Sequence, residues 1–474
     1  MLQMAGFSQT IGNSHVTVIK NVNPQPTQGY GGIWGWTASN GKEFVILPSA
    51  NGGVINFWDI TGNNVNNPVS MGTLPNVKSE WQELKTYDAP NGKSYCYKIS
   101  DVTGDDIYII NITPMATGGA PVMVKKFSNP GGTNIGKTMH TLWIDAPKKL
   151  MYLNGADHGS SATQGKGLLI MDITDPENPK QISRIGIEAH DSFPFGNYLY
   201  AQGQWSHFQK VYDVSTPATP VLKSTIDFCN YNATIGEPAA TAYGGATTPI
   251  AHSVVTVDGH YMYYCEETVG SSVKVFDISD PANQKIVARL PMLKDGKRPV
   301  IAHNPFIDPA NPRWLLIAGY TAGMHLYDLQ NPAAPVEVAY FDPSSATVDF
   351  DGIWGAYMNF KSGVYALTDM TNGLYLVKPD ATVIPTTAGY SKGFPQFAIT
   401  GFDSKQIRFS LPKADAYDLS IFNPMGESVY SAHGNADGGM QTLTLDHGNL
   451  VTGNYFVKVR QDADSHTATI SLRN

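Results

Sequence analysis

Short runs of β-branched and aromatic residues, each closed by Gly, Pro, Asn or Asp, recur along roughly the first 380 residues, which predicts strands joined by tight turns. One set is apolar and aromatic: Phe44-Val45-Ile46-Leu47, Met151-Tyr152-Leu153, Tyr198-Leu199-Tyr200, Tyr261-Met262-Tyr263-Tyr264, Trp314-Leu315-Leu316-Ile317 and Val364-Tyr365-Ala366-Leu367. A second set follows and ends on Asp plus an aliphatic residue: Phe57-Trp58-Asp59-Ile60, Ile170-Met171-Asp172-Ile173, Val211-Tyr212-Asp213-Val214, Val275-Phe276-Asp277-Ile278 and Leu326-Tyr327-Asp328-Leu329. Pro-bearing turns come next, as in Asp175-Pro176-Glu177-Asn178-Pro179 and Asn331-Pro332-Ala333-Ala334-Pro335. Pro presets φ for such turns and an Asx side chain bonds the backbone two residues on, so the repeated Asp and Pro residues read as turn builders.

Ahead of each apolar strand stands a short opening phrase. Thr138-Met139-His140-Thr141, Glu188-Ala189-His190-Asp191, Ile250-Ala251-His252-Ser253 and Ile301-Ala302-His303-Asn304 share a His. Gly32-Ile33-Trp34-Gly35, Glu80-Trp81-Gln82 and Gly352-Ile353-Trp354-Gly355 carry Trp instead. Seven phrases at spacings of roughly 40 to 60 residues are the signature of propeller blades. The seventh unit stops after its third strand, and the isolated run His15–Lys20 is free to supply the fourth. The pattern therefore predicts an all-β chain: a seven-bladed β-propeller over residues 15–380, closed by an N-terminal strand. Residues 1–14 read as a loose lead-in.

Residues 381–393 have the composition of a linker. Over 394–474 the pattern changes to alternating strands such as Tyr417–Phe422, Gln441–Leu445 and Tyr455–Val459 between Gly/Asn/Asp turns, which predicts a small β-sandwich.

Composition narrows the function classes. Only 15% of residues are charged, net charge is −8, and Lys and Arg form no run, which argues against nucleic-acid binding. No apolar stretch is long enough to predict a membrane span. Met1–Gly6 has neither the charged start nor the apolar middle of a signal peptide, a pattern that fits a cytoplasmic protein or a mature form with an added Met. Three cysteines cannot all pair; Cys96 and Cys265 lie in aromatic strands and are expected as buried thiols.

The chain carries two family resemblances. The opening Gly32-Ile33-Trp34-Gly35-Trp36-Thr37, Trp81-Gln82-Glu83-Leu84-Lys85, the four His-led phrases and the closing Gly352-Ile353-Trp354-Gly355-Ala356-Tyr357 resemble, in that order, the bacterial choice-of-anchor B family with LVIVD-type repeats. That resemblance implies an exported surface protein and little chemistry. Leu419-Ser420-Ile421-Phe422-Asn423-Pro424-Met425-Gly426-Glu427 and Gly453-Asn454-Tyr455-Phe456-Val457-Lys458-Val459 resemble a type IX secretion sorting domain. That resemblance implies a sorting or anchoring role for residues 394–474 and an extracellular or outer-surface bacterial location, with the secretion machinery as a partner. The Lys-rich ending common in that family is replaced by Leu472-Arg473-Asn474.

Strand direction then places chemistry. Adjacent strands in a blade are antiparallel, so first-strand starts and second-strand ends share one face of the ring. His140, His190, His252 and His303 are thereby expected around one channel mouth, as candidate ligands for a divalent transition metal. Glu266, Glu267 and Asp191 are the candidate proton carriers, while Asp101, Asp157 with His158, and Asp369 add polar groups on that face. Trp34, Trp81 and Trp354 are expected either to line the channel or, with Trp36 and Trp205, to form a platform for a sugar or peptide. No phosphate-cradling loop, Gly-x-Ser-x-Gly or His-Glu-x-x-His occurs. Three readings stay open: a propeller binding a metal, small molecule, glycan or surface protein at its His-rich mouth; a metal-dependent hydrolase or lyase; and a structural module of a surface assembly.

Overall fold

The computed structural model describes residues 12–380 and 398–472, except 103, 128–137, 157–166, 204–205, 236–248, 257, 295–297, 346–349, 403–405, 412–414, 437–438, 446–452 and 462–463. The expected linker, Asp157, His158 and Trp205 therefore lie outside the described residues. The chain forms two compact units, with the second carrying residues from Ile384 onward. No helix among the described residues is long and apolar enough to cross a membrane.

The first unit is a seven-bladed β-propeller of antiparallel sheets. Blade one runs through Trp34–Thr37, Glu43–Pro48, Val54–Asp59 and Val69–Pro75, and blades two to five repeat the plan. Blade six uses Asn304–Asp308, Asn311–Ala318, Met324–Asp328 and Val336–Asp342. Blade seven has only Ile353–Tyr357, Tyr365–Asp369 and Gly373–Pro379 from its own stretch of chain, and Val16–Val22 pairs with the last of these as the fourth strand. Closure by the two ends of the unit leaves only short strand edges.

The lead-in departs from expectation. Gly12–Ser14 adds a fifth strand to blade six, pairing with Tyr340–Asp342, before the chain crosses to blade seven. The crossing is made at His15, whose φ of 56° turns the backbone between the two edges.

Two local devices recur. The Asp that ends a third strand accepts a hydrogen bond from the backbone N–H two residues on: Asp59 from Thr61, Asp172 from Thr174, Asp213 from Ser215, Asp277 from Ser279 and Asp328 from Gln330. In blade two Asn111 does the same for Thr113. Third and fourth strands slip by one residue in several blades, at Phe57/Trp58, Ile170/Met171, Val211/Tyr212 and Val275/Phe276. Such bulges increase strand twist, which lets the sheets splay like vanes.

Apolar side chains from adjacent blades fill the seams; Tyr97, Ile109, Met151, Leu153 and Leu169 make one such cluster between blades two and three. Each large apolar side chain so buried contributes about 1.5–3 kcal/mol. Cys96 and Cys265 are buried free thiols in these seams, and burial pushes Cys96 up to about 12, so neither is a nucleophile at neutral pH.

The second unit pairs a three-stranded sheet (Ala398–Phe402, Gln406–Leu411, Gly439–Thr444) with a four-stranded one (Asp415–Phe422, Ser428–Ala436, Gly453–Gln461, Asp464–Leu472). Alternate residues Ile407, Phe409 and Leu411 meet Leu419, Ile421, Tyr455, Val457 and Val459 between them. This is the small β-sandwich.

Candidate metal centre in the channel mouth

First-strand starts from successive blades bring four imidazoles into one arc. Ring centroids are 4.1 Å apart for His140–His190, 4.2 Å for His190–His252 and 4.4 Å for His252–His303. The arc continues through Tyr320, 4.2 Å from His303, and Trp354, 5.2 Å from it. The four histidines are at most 9% exposed.

The backbone delivers these side chains in two ways. His140, His190 and His303 each stand just before a strand and donate their N–H to a carbonyl at or near the end of their blade's second strand: Asn154, Gln202 and Ala318. His252 is instead the extra residue of a β-bulge between Ala251 and Ser253, as Trp354 is between Ile353 and Gly355. A bulge re-aims a side chain out of the strand's alternation, which carries both toward the axis.

Blade one adds nothing to this arc. Gly31 N–H bonds Pro48 O as His140 N–H bonds Asn154 O, so a glycine holds the place that Trp34 was expected to hold. A Cβ on Gly31 would lie 2.7 Å from Glu80 O and one on Gly32 2.3 Å from Gln82 O, so blade two's backbone admits no side chain there. Trp34 sits deeper, edge-on to Trp143; the buried Lys85 ammonium is 4.0 Å and 4.8 Å from the two ring centroids and pairs with Glu83.

Outer partners fix which ring nitrogen of three histidines faces inward. His303 Nδ1 lies 2.7 Å from Trp354 O, which can only accept, so Nδ1 carries the proton. Ser253 Oγ spends its proton on His303 O at 2.7 Å and must accept from His252 Nδ1 at 3.0 Å. His140 Nδ1 is 2.9 and 3.0 Å from the two oxygens of Asp101. The inward atoms of His252 and His303 are then Nε2 lone pairs, 3.9 Å and 3.8 Å from the carboxylate oxygens of Glu267. Donor atoms of His190, His252 and Glu267 all lie within 4.8 Å of one another. A second group on Nδ1 that aims Nε2 is what holds metal-binding imidazoles in place.

Burial, then the charges of neighbouring imidazoles, holds His252 well below the ordinary histidine range, and burial does the same for His303. Both are neutral donors at neutral pH. At His140 burial works against the charged form, but Asp101, with Glu267 and Glu83 behind it, raises the ring above 6.5. Glu267 is pushed up to about 7 by burial, against a 2.6 Å hydrogen bond donated by Tyr320 Oη and the pull of His140.

The predicted proton carriers divide. Glu266 and Glu267 are adjacent in an extended segment, so they face opposite ways. Glu267 joins the histidines, whereas Glu266 turns into the seam, accepting from both Asn232 Nδ2 and Lys274 Nζ. Asp191 faces blade three rather than the mouth: its Oδ1 accepts from Thr141 Oγ1 and Trp143 Nε1. Asp369 accepts the backbone N–H groups of Thr371 and Asn372.

Above the arc opens a cavity of about 300 Å³. Blade two lines it with Glu80, Trp81 and Asp101; blade seven with Phe350, Trp354 and Met370; the histidines, Glu267, Ile250 and Tyr320 complete it. Below, a narrower space of about 30 Å³ reaches Lys85 and Asp191. Tyr320 escaped the sequence reading. Its φ is 49°, rare for a non-glycine residue, and reciprocal backbone bonds with Ile353 of blade seven hold it there. The one available signal was Gly319-Tyr320-Thr321-Ala322-Gly323, a glycine-bracketed turn at a second-strand end.

Comparison with known proteins bears mainly on the second unit. No curated protein matches the chain. Among solved structures, the crystal structure of Raptor from Chaetomium thermophilum is similar in fold: TM-score 0.51, 10% identity, covering 77% of this chain and 29% of that one. At that identity the likeness concerns the fold alone. Residues 403–473 match the secretion system C-terminal sorting domain. A type IX sorting domain of this kind marks a bacterial protein for export to the surface or the medium and engages the secretion machinery, so the propeller is the cargo of an export tail.

Proposed function

We propose that the exported propeller binds a divalent transition metal ion in its channel mouth, through His190, His252 and Glu267 with His303 beside them, and offers that ion to a small molecule entering the cavity. The observation that carries this reading is the set of outer partners on Nδ1. Trp354 O and Ser253 Oγ leave the Nε2 lone pairs of His303 and His252 facing one carboxylate. Two or three imidazoles with one carboxylate favour zinc, copper, iron or nickel over calcium and magnesium, which prefer all-oxygen sites. His140, its Nδ1 held by Asp101, stands beside this donor set as a further ligand on the same principle.

The second reading, hydrolysis or elimination at the bound ion, is favoured by the open cavity directly above the donors. A purely structural role leaves that cavity unexplained. The proposed kinship of the propeller with the choice-of-anchor B family rests on the motif order along residues 15–380 and on the seven-sheet ring.

Metal analysis of tag-free protein and of the His190→Ala/His252→Ala double variant tests the reading. About one metal per wild-type chain and none in the variant is expected. Wild type without metal after incubation with zinc, copper, iron and nickel salts overturns it. Activity that chelation abolishes and metal restores would select the enzyme over the binding module.

A further inference from the structure

The wall of the mouth is chemically split, and the split describes the molecule that fits. Donor atoms occupy one side, on blades three to six: the histidine arc and Glu267. Aromatic and apolar groups occupy the other, on blades six, seven and two, with Glu80 and Asp101 of blade two as the polar exceptions. There Tyr320 and Trp354 form one cluster with the half-buried Trp81, Phe350 and Met370. Half-buried aromatic side chains set together in a concavity leave apolar surface in water until something covers it.

Charge removes several ligand classes. Glu80, Asp101 and Glu267 line the cavity, and no Lys or Arg does among the described residues. A polyphosphate or sulfated sugar would meet three carboxylates with only the metal and His140, already paired with Asp101, to offset them. A neutral sugar could stack one face on these aromatics, but its hydroxyl rim needs hydrogen-bond partners, and Phe350 and Met370 offer none. At about 300 Å³ the space lies at the lower end of small-molecule sites, which run from roughly 300 to 1,000 Å³.

We infer that the mouth takes a flat, apolar-bodied small molecule with a single nitrogen or oxygen donor, the donor directed to the histidine–Glu267 side and the body laid against Trp81, Phe350 and Trp354. This rests on the metal reading for the head of the ligand, but not for its body. A phenol or an aryl-substituted azole has the required form.

Calorimetric titration of the zinc-loaded full chain with imidazole and with 4-phenylimidazole separates the two halves. The phenyl-bearing azole is expected to bind about tenfold tighter or more, the gain from burying one ring. Trp81→Ala and Phe350→Leu are expected to shrink that ratio to about threefold or less, with imidazole affinity and zinc content unchanged. Trp81 and Phe350 are half-buried, and thermal melts of both variants check that they fold. Equal affinity for the two azoles in the wild type, or tighter binding of pyrophosphate or methyl glucoside than of 4-phenylimidazole, overturns the inference while leaving the metal reading intact. Should zinc fail to bind, the metal reading falls alone. The apolar half is then read from quenching of tryptophan fluorescence by 2-naphthol in the metal-free protein: quenching that Trp81→Ala removes supports it, and none in the wild type overturns it.

Discussion

Tyr320→Phe isolates one hydrogen bond in the site and makes its effect depend on pH. Tyr320 Oη donates to Glu267 Oε1 at 2.6 Å, and both side chains are buried. Burial raises Glu267 from 4.5 to about 7, so between those values the folded protein holds a proton that the unfolded chain has released. Stability in the metal-free protein therefore falls as pH rises through that window, by about 3 kcal/mol in all, and levels off above it. The tyrosine hydroxyl opposes this by favouring the ionised carboxylate, and a hydrogen bond to a charged group is worth about 1.5–3 kcal/mol against about 0.5–1.5 for a neutral one. Without it Glu267 climbs by roughly one to two pH units and the decline runs on toward pH 9. Tyr320 remains a donor throughout, because burial and then the charge of Glu267 hold it well above 10. Urea unfolding with a chelator present should give a loss of about 1 kcal/mol at pH 5 and about 2–3 kcal/mol at pH 9. The same loss at both pH values would refute the account of Glu267.

Four further outcomes follow from particular contacts. Asp369 is raised to about 6, first by burial, and its Oδ2 is buried without a hydrogen-bond partner. Folded protein thus holds the extra proton between 3.8 and 6; relative to wild type, Asp369→Asn should gain about 3 kcal/mol between pH 4 and pH 8, read from chemical denaturation. Gly323 has φ +80° and its Cβ would lie 2.2 Å from Phe341 O, so Gly323→Ala should cost about 3 kcal/mol or more, seen as a fall in Tm. Deleting residues 1–22 removes Val16–Val22 from blade seven and bares the Gly373–Pro379 edge; size-exclusion chromatography should show aggregated or unfolded protein. Deleting residues 403–473 should stop export, with the propeller recovered from the cells rather than the medium or surface.

Repetition made much of the molecule legible. Each blade is a local hairpin series whose Asp corners, Pro turns and strand alternation depend on neighbours in sequence, so seven phrases led by His or Trp announce seven sheets. The short seventh blade and the isolated His15–Lys20 run foretold closure by the same logic, because an unpaired edge requires a partner. Four histidines at corresponding places could be expected on one rim since strand direction alone sets the face.

What depended on the closed ring was which groups meet across it. Glu266 and Glu267 are indistinguishable as letters, and only the phase of their strand sends one to the histidines and the other to Lys274. The bulges that turn His252 and Trp354 inward leave no composition signal. Trp34 looked equivalent to Trp81 and Trp354, yet Gly31 takes that height because blade two's backbone passes too close for a side chain. Sequence periodicity thus determined the blades and the face on which polar groups collect, since both follow from contacts within one repeat. The donor set, its inward lone pairs and the strained Tyr320 were decided by contacts between blades. Those distances are set when the ring closes, and no single repeat encodes them.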